Sequence, residues 1–193
     1  MTRIRRTLIW LSRLNHCRGF GIQSPWAYSL VRYVLNEHFP YYSYEDLALN
    51  IPELNVIDRK LCELYFRLAN YRQPSKILLS KSDGEASAEY MLRGCNKALV
   101  KKQLSSGSCD IDEVELAVVS LEGNYRDCYE SLLSRVNDTS IIVLEGIYGN
   151  KATRRFWKSV VNDDRTGVTF DLYYCGIVFF DKKRYKQNYI INF

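Results

Sequence analysis

Two segments of the chain are apolar almost without interruption, and each contains a glutamate followed by a glycine. They are "VELAVVSLEG" (114–123) and "TSIIVLEGIYG" (139–149). Strands that are apolar on both sides of the pleat must be covered on both faces, which is typical of parallel sheets flanked by helices. A pattern with apolar residues three or four positions apart follows each segment, and it predicts a helix. The sequence therefore predicts an α/β protein.

The rest of the chain extends this alternation of strands and helices. Helices are predicted over 2–14, 25–37, 55–71, 85–93, 125–136 and 151–161, and strands over 76–80, 97–100, 114–123, 139–149, 167–173, 176–181 and 188–193. The closely spaced strands at the end predict antiparallel strands added to a mainly parallel sheet. The tyrosine-rich stretch 40–52 is predicted to be irregular. We predict one domain with a helical N-terminal arm (1–54) and an α/β core (55–193).

The cysteines and the first apolar run indicate a cellular compartment. None of the six cysteines forms a C-x-x-C pair, and their spacings match no zinc template, so we predict reduced thiols and no metal site. The apolar run "TLIWL" (7–11) is too short for a signal peptide and is closely followed by Arg13. These features predict a cytoplasmic protein.

Positive charge is concentrated at the start of the chain. Residues 1–36 contain six arginines and no acidic residue before Glu37, although the net charge of the whole chain is only +5. Such a segment can contact RNA phosphates, lie on an anionic membrane, or pack its apolar side on the core with the arginines in water. The third arrangement is the commonest for such extensions.

Polar residues follow the predicted strands at the edge where α/β sheets bind ligands. Glu122 and Glu145 are candidates for acid–base catalysis or metal binding, or are charges that simply reach solvent at strand ends. Ser80, Asp83 and Gly84 are candidates for cofactor contacts through the start of the next helix, or form an ordinary turn.

Several segments resemble bacterial class I S-adenosylmethionine-dependent methyltransferases, closest to the O-methyltransferase-like group. They are "SLEGNY", "IVLEGIYG" and the closing "FDLYYCGIVFFDKKRYKQNYIINF", together with the order of the predicted elements. The segment "HCRGFGIQSPWAY" (16–28) also resembles an arm found in one bacterial branch. The resemblance implies a Rossmann-like fold, S-adenosylmethionine as cofactor and a small hydroxyl-bearing acceptor.

The chain departs from this family where the cofactor would bind. The family ends its first strand in an acid and a glycine-rich turn, whereas this chain has Leu79, Ser80 and a single glycine, Gly84. The family places a ribose-binding acid after its second strand, where this chain has Lys101 and Lys102. We therefore expect weakened or lost cofactor binding, with Lys81, Glu85 or a tyrosine filling the space. The alternative is a non-catalytic binding or scaffold protein, and a homodimer is compatible with either.

Overall fold

The chain forms seven α-helices and seven strands within the residues that the structure describes. The computed structural model describes residues 3–39, 41–81, 84–102 and 112–193. The helices are α1 (Arg3–Ser12), α2 (Pro25–Leu30), α3 (Tyr42–Asn50), α4 (Val56–Arg72), α5 (Glu85–Gly94), α6 (Tyr125–Leu133) and α7 (Lys151–Asn162). The strands are β1 (Lys76–Ser80), β2 (Leu99–Lys102), β3 (Val114–Ser120), β4 (Val136–Glu145), β5 (Thr169–Asp171), β6 (Cys175–Phe179) and β7 (Asn188–Ile190).

All seven strands join one sheet in the order β2-β1-β3-β4-β6-β5-β7. The pairs among β2, β1, β3 and β4 are parallel. Strand β6 runs antiparallel to both β4 and β5, and β7 returns parallel to β5. This confirms the predicted α/β fold with a mainly parallel sheet and antiparallel pairing at its C-terminal strands.

Helices cover both faces of the sheet, which explains why its central strands are apolar throughout. Successive side chains in a strand point to opposite faces. In β1, Ile77 and Leu79 pack in one hydrophobic cluster with α2, α4 and α5. Leu78 packs in a second cluster, on the other face, with α6 and α7. Each face therefore excludes water from the strands.

The N-terminal region begins with an exposed helix and continues into the core. The predicted start of a helix at residue 25 is confirmed, and Ser24 Oγ caps it by accepting a hydrogen bond from the Ala27 amide. Helix α2 continues into a π-helical turn, Val31–Leu35. The buried Arg67 side chain donates to the carbonyl oxygens of Val34 and Leu35, and so satisfies groups that the turn leaves open. The division at residue 54 stays a prediction.

Three sequence predictions about local structure were wrong. The stretch predicted to be irregular contains α3, where Leu47 is the only completely buried residue and Tyr44 packs on Phe66. The sequence pattern places Val136 in the helix that precedes β4. In the structure Val136 is the first residue of β4, because it pairs with Val114 ahead of a shift in register between Val114 and Leu116. Lys101 and Lys102 lie within β2 and not after it.

None of the helices in the described parts of the chain is both long and apolar enough to cross a bilayer.

Candidate functional site

The carboxyl ends of three adjacent parallel strands, β1, β3 and β4, form the edge at which a ligand would be expected. Ser80 is the last residue of β1, and Ser120 ends β3 directly beside Glu145, the last residue of β4. Gly84 is buried and lies at the N-terminal cap position of α5. Asp83, predicted to contact a cofactor, lies outside the described residues.

The two glutamates that look equivalent in sequence occupy different positions. Glu145 belongs to β4 and is half-buried, whereas Glu122 lies two residues beyond the end of β3 and is exposed. The two "LEG" segments share the backbone conformation of their glycine. Gly123 and Gly146 have φ angles of +61° and +85°, in the left-handed region that glycine adopts without strain. The repeated motif therefore turns the chain as it leaves the sheet.

A cavity of about 230 Å³ lies at this edge and contains both predicted catalytic residues. Its lining consists of Leu54, Asp58, Cys62, Lys81, Ala86, Ser87, Ser120, Glu122 and Glu145. Helix α4 supplies one wall and α5 another, and the strand ends form the base. The structure thus brings Glu122 and Glu145 together, but neither Ser80 nor Gly84 lines the cavity.

An ion pair joins the two outer strands of this edge across the end of β3. The Lys81 ammonium, directly after β1, donates to Glu145 Oε1 at 2.8 Å and to Oε2 at 3.0 Å. Strands β1 and β4 are two positions apart in the sheet, which corresponds to about 10 Å. Only a long side chain can bridge that span. Lys81 therefore reaches past the end of β3 to Glu145.

Glu145 has a second partner in the interior of the protein. Tyr65, fully buried on α4, donates its hydroxyl to Glu145 Oε2 at 2.9 Å. Each side chain of the Lys81–Glu145 pair is only 16% exposed. The carboxylate is thus held by two donors, one charged and one neutral, and both of its oxygens are engaged. Its role in acid–base catalysis stays a prediction.

The pKa values of Lys81 and Tyr65 are both raised, which keeps both groups protonated as hydrogen-bond donors. Burial by itself would lower the pKa of the Lys81 ammonium, but the Glu145 carboxylate outweighs that effect and the pKa is raised. Burial, and then the Glu145 carboxylate, raise the pKa of Tyr65 well above its usual value. At neutral pH, Lys81 is therefore a cation and Tyr65 a neutral hydroxyl donor.

The cysteine of the cavity is not a reactive nucleophile. The Cys62 sulfur contacts the Ser87 hydroxyl at 3.8 Å, and burial raises the pKa of the Cys62 thiol to about 11. The thiol therefore stays protonated and unreactive at neutral pH. Among the described residues, no group of three His, Cys, Asp or Glu side chains could hold a metal ion.

Two of the residues that define this site were not singled out as functional candidates by their local sequence. Tyr65 fits the helical apolar pattern of α4, so nothing distinguishes it from an ordinary core residue. Lys81 follows a buried strand, but its partner lies 64 residues further along the chain. The one sign of this role in the sequence is that a lysine directly follows a buried strand. Glu85, the other charged residue considered for this space, is exposed and contacts Lys102 at 3.5 Å.

A larger cavity, of about 530 Å³, lies on the other side of the start of α4. Its walls come from α1, the first turn of α4, the turn between β5 and β6, and the end of the chain; they include Trp10, Arg13, Ile57, Lys60, Leu172, Tyr173, Tyr174 and Phe193. Tyr173 has φ +71° and is held there by a hydrogen bond from its amide to Asp171 Oδ1. The lining is aromatic and apolar, with two basic side chains.

Comparisons with known proteins support the fold. No family model matches the sequence, and no curated protein matches it. The structure is similar to that of an O-methyltransferase from Bacillus cereus in complex with SAH, with a TM-score of 0.52 and 15% identity, covering 76% of this chain and 94% of that one.

Two further solved structures show weaker similarity. One is an SAH-bound methyltransferase of Podospora anserina, with a TM-score of 0.49 and 11% identity over 86% of this chain and 97% of that one. The other is an O-methyltransferase of Streptomyces achromogenes involved in tomaymycin synthesis, in complex with SAM, with a TM-score of 0.44 and 14% identity over 72% of this chain and 85% of that one. The sheet order and the first of these similarities agree that the chain has the Rossmann-like fold of class I O-methyltransferases.

Proposed function

We propose that this chain is a methyltransferase-fold protein in which binding of S-adenosylmethionine is weakened or lost. The observation that carries the proposal is the Lys81–Glu145 ion pair, which crosses the cavity at the carboxyl ends of β1, β3 and β4. The cavity that remains, about 230 Å³, is smaller than the roughly 300–1,000 Å³ typical of ligand pockets.

The charges at this edge do not fit the cofactor. S-adenosylmethionine carries a sulfonium cation, and its ribose hydroxyls need an acceptor such as a carboxylate. The residue after β1 is the Lys81 ammonium, and the last residues of β2 are Lys101 and Lys102. An ammonium group has no lone pair and cannot accept a hydrogen bond from the ribose hydroxyls. Gly84 gives no support either, because its φ of −82° is open to any residue.

Breaking the ion pair would reduce the affinity of any ligand that needs the space. Removing one partner of a buried pair costs about 3–5 kcal/mol, and the partial exposure of Lys81 and Glu145 places them near the lower value. A ligand that has to open the pair loses this free energy from its own binding. At about 1.4 kcal/mol for each factor of ten, 3 kcal/mol corresponds to roughly a 150-fold weaker affinity.

Isothermal titration calorimetry with S-adenosylmethionine and S-adenosylhomocysteine tests the proposal. We expect no binding of either ligand to the wild-type protein at 1 mM, a concentration that detects as little as about 4 kcal/mol of binding free energy. A dissociation constant below about 50 μM for either ligand would refute the proposal. Lys81→Ser, which opens the cavity, is compared with Lys97→Ser, which removes an exposed lysine before β2. Any gain in affinity should be confined to Lys81→Ser.

A non-catalytic binding role is supported by the larger cavity. Its combination of aromatic walls with the Lys60 ammonium suits a small molecule that has an apolar ring and an anionic group. The fluorescent sulfonate 1-anilinonaphthalene-8-sulfonate has this chemistry and serves as a probe. We expect micromolar binding that Lys60→Glu weakens at least fivefold and that Leu49→Glu, at an exposed position on α3, leaves unchanged. Equal binding by both variants would argue against this site. A homodimer and a methyl acceptor stay predictions.

A further inference from the structure

Helix α1 exposes a stripe of large aliphatic side chains. Ile4, Leu8 and Leu11 are 75%, 60% and 47% exposed. Their spacing of four and three residues places them on one face of the helix. Of the three arrangements that the sequence left open for this segment, packing of the apolar side on the core is therefore not the one observed. Singly exposed apolar residues are ordinary, but a continuous stripe on one helix face indicates an interaction surface.

The C-terminal end of the helix is attached to the sheet. Arg13, directly after α1, is 8% exposed and donates to Asp171 Oδ1 at 2.7 Å. It also donates to the carbonyl oxygens of Asp171 and Ile191 at 3.0 and 3.2 Å. Asn192 donates to the Trp10 carbonyl oxygen at 3.1 Å. The helix is thus held at its C-terminal end, and the stripe stays exposed.

The charge of the segment restricts what can cover the stripe. Arg3 and Arg5 lie at positions about 100° to either side of Ile4, since successive residues of a helix are rotated by that angle. Helix α1 contains three arginines and no acidic residue. A second copy of the same helix would bring the arginines together and repel. An anionic lipid surface meets both requirements, because it attracts the arginines and accepts the aliphatic face.

We propose that α1 docks this protein on anionic membrane surfaces, with Ile4, Leu8 and Leu11 inserted at the boundary between headgroups and acyl chains. Arginine side chains beside such a stripe can extend to the headgroup phosphates while their methylene stems stay in apolar surroundings. RNA would use the charge but gain nothing from the aliphatic stripe, because bases are recognised by stacking on aromatic or guanidinium planes.

Vesicle co-sedimentation of the full-length protein tests this proposal. We expect binding to phosphatidylcholine vesicles that contain 30% phosphatidylserine and at least tenfold weaker binding to pure phosphatidylcholine. Leu8→Ser should weaken binding at least fivefold, whereas Leu49→Ser, at a 79% exposed leucine of α3, should leave it unchanged. Replacing Arg3 and Arg5 by Gln should weaken binding about thirtyfold, since each arginine near an anionic surface contributes about fivefold.

The matched control for charge is Lys151→Gln with Lys158→Gln, which removes two exposed lysines of α7 and should have no effect. Equal binding to both kinds of vesicle, or binding to neither, would overturn the proposal. It would also fail if the two leucine variants, or the two charge variants, lost binding equally. Salt-sensitive binding of a single-stranded RNA oligonucleotide, unaffected by Leu8→Ser and without vesicle binding, would assign the arm to RNA instead.

Discussion

Replacing Lys81 with Met should destabilise the folded protein by about 3 kcal/mol. Two unit charges about 4 Å apart attract each other by ~4 kcal/mol at the effective dielectric constant of protein sites near a surface. The measured geometry, 2.8 and 3.0 Å from one ammonium to two carboxylate oxygens, is favourable for such a pair. Without Lys81, the Tyr65 hydroxyl would be the one remaining side-chain partner of the Glu145 carboxylate among the described residues. The 16% exposure of its side chain admits some water, which limits the loss to about 3 kcal/mol.

Urea unfolding followed by far-ultraviolet circular dichroism measures this loss. A double-mutant cycle with Glu145→Gln isolates the interaction, because the neutral amide can still accept the Tyr65 hydrogen bond. We expect a coupling free energy of about 2 kcal/mol between the two positions. Lys102→Met is the control, since its contact with the exposed Glu85 should contribute less than ~0.5 kcal/mol. Strictly additive single substitutions, or Lys81→Met within ~0.5 kcal/mol of wild type, would refute the reasoning.

The remaining predictions concern pH, the attachment of the arm, a buried thiol and a glycine. The pKa of Lys81 in the folded protein is raised above its ordinary 10.5. The difference in unfolding free energy between wild type and Lys81→Met should therefore stay constant from pH 6 to 9 and shrink only as the pH rises past about 10.5. Urea unfolding at each pH measures this difference. Arg13→Ala should lower the free energy of unfolding in urea by about 3–5 kcal/mol and speed proteolysis of residues 1–16. Arg13→Lys should not restore stability, because an ammonium group cannot make the forked contacts of the guanidinium. An alanine variant as stable as wild type would contradict this. Cys62, whose thiol has its pKa raised to about 11, should resist iodoacetamide at pH 8 in the folded protein, as mapped by mass spectrometry, and rapid labelling would contradict its burial. Gly176→Ala should destabilise by about 1–3 kcal/mol in the same unfolding assay, since the added Cβ would lie 2.5 Å from the Trp157 ring, and an unchanged midpoint would contradict that contact.

The central strands could be predicted because burial of both faces requires apolar residues on both. Residues on both faces of β3 and β4 are buried, so both faces had to be apolar. The start of α2 was predictable for a similarly local reason, since Ser24 and Pro25 act on the adjacent turn. Helix α3 could not be predicted in this way. Its stability comes from packing Tyr44 on Phe66, a contact with a helix that begins later in the chain.

The site was only partly predictable, because its partners are distant in sequence. Glu145 could be placed at the end of a strand, but its ion pair depends on the sheet order, which puts β1 and β4 on either side of β3. The same limit applies to Arg13, which a sequence pattern places in water. Its buried partner Asp171 is 158 residues away. Local patterns predict strands and helices, whereas contacts between distant elements require the three-dimensional arrangement.

The most direct test of the account is a crystal structure of the protein grown with 5 mM S-adenosylhomocysteine. The account predicts that Lys81 Nζ lies within hydrogen-bond distance of both carboxylate oxygens of Glu145, as here at 2.8 and 3.0 Å, with no ligand between β1 and β4. S-adenosylhomocysteine bound above Ser80 and Gly84, with Lys81 turned away from Glu145, would contradict it.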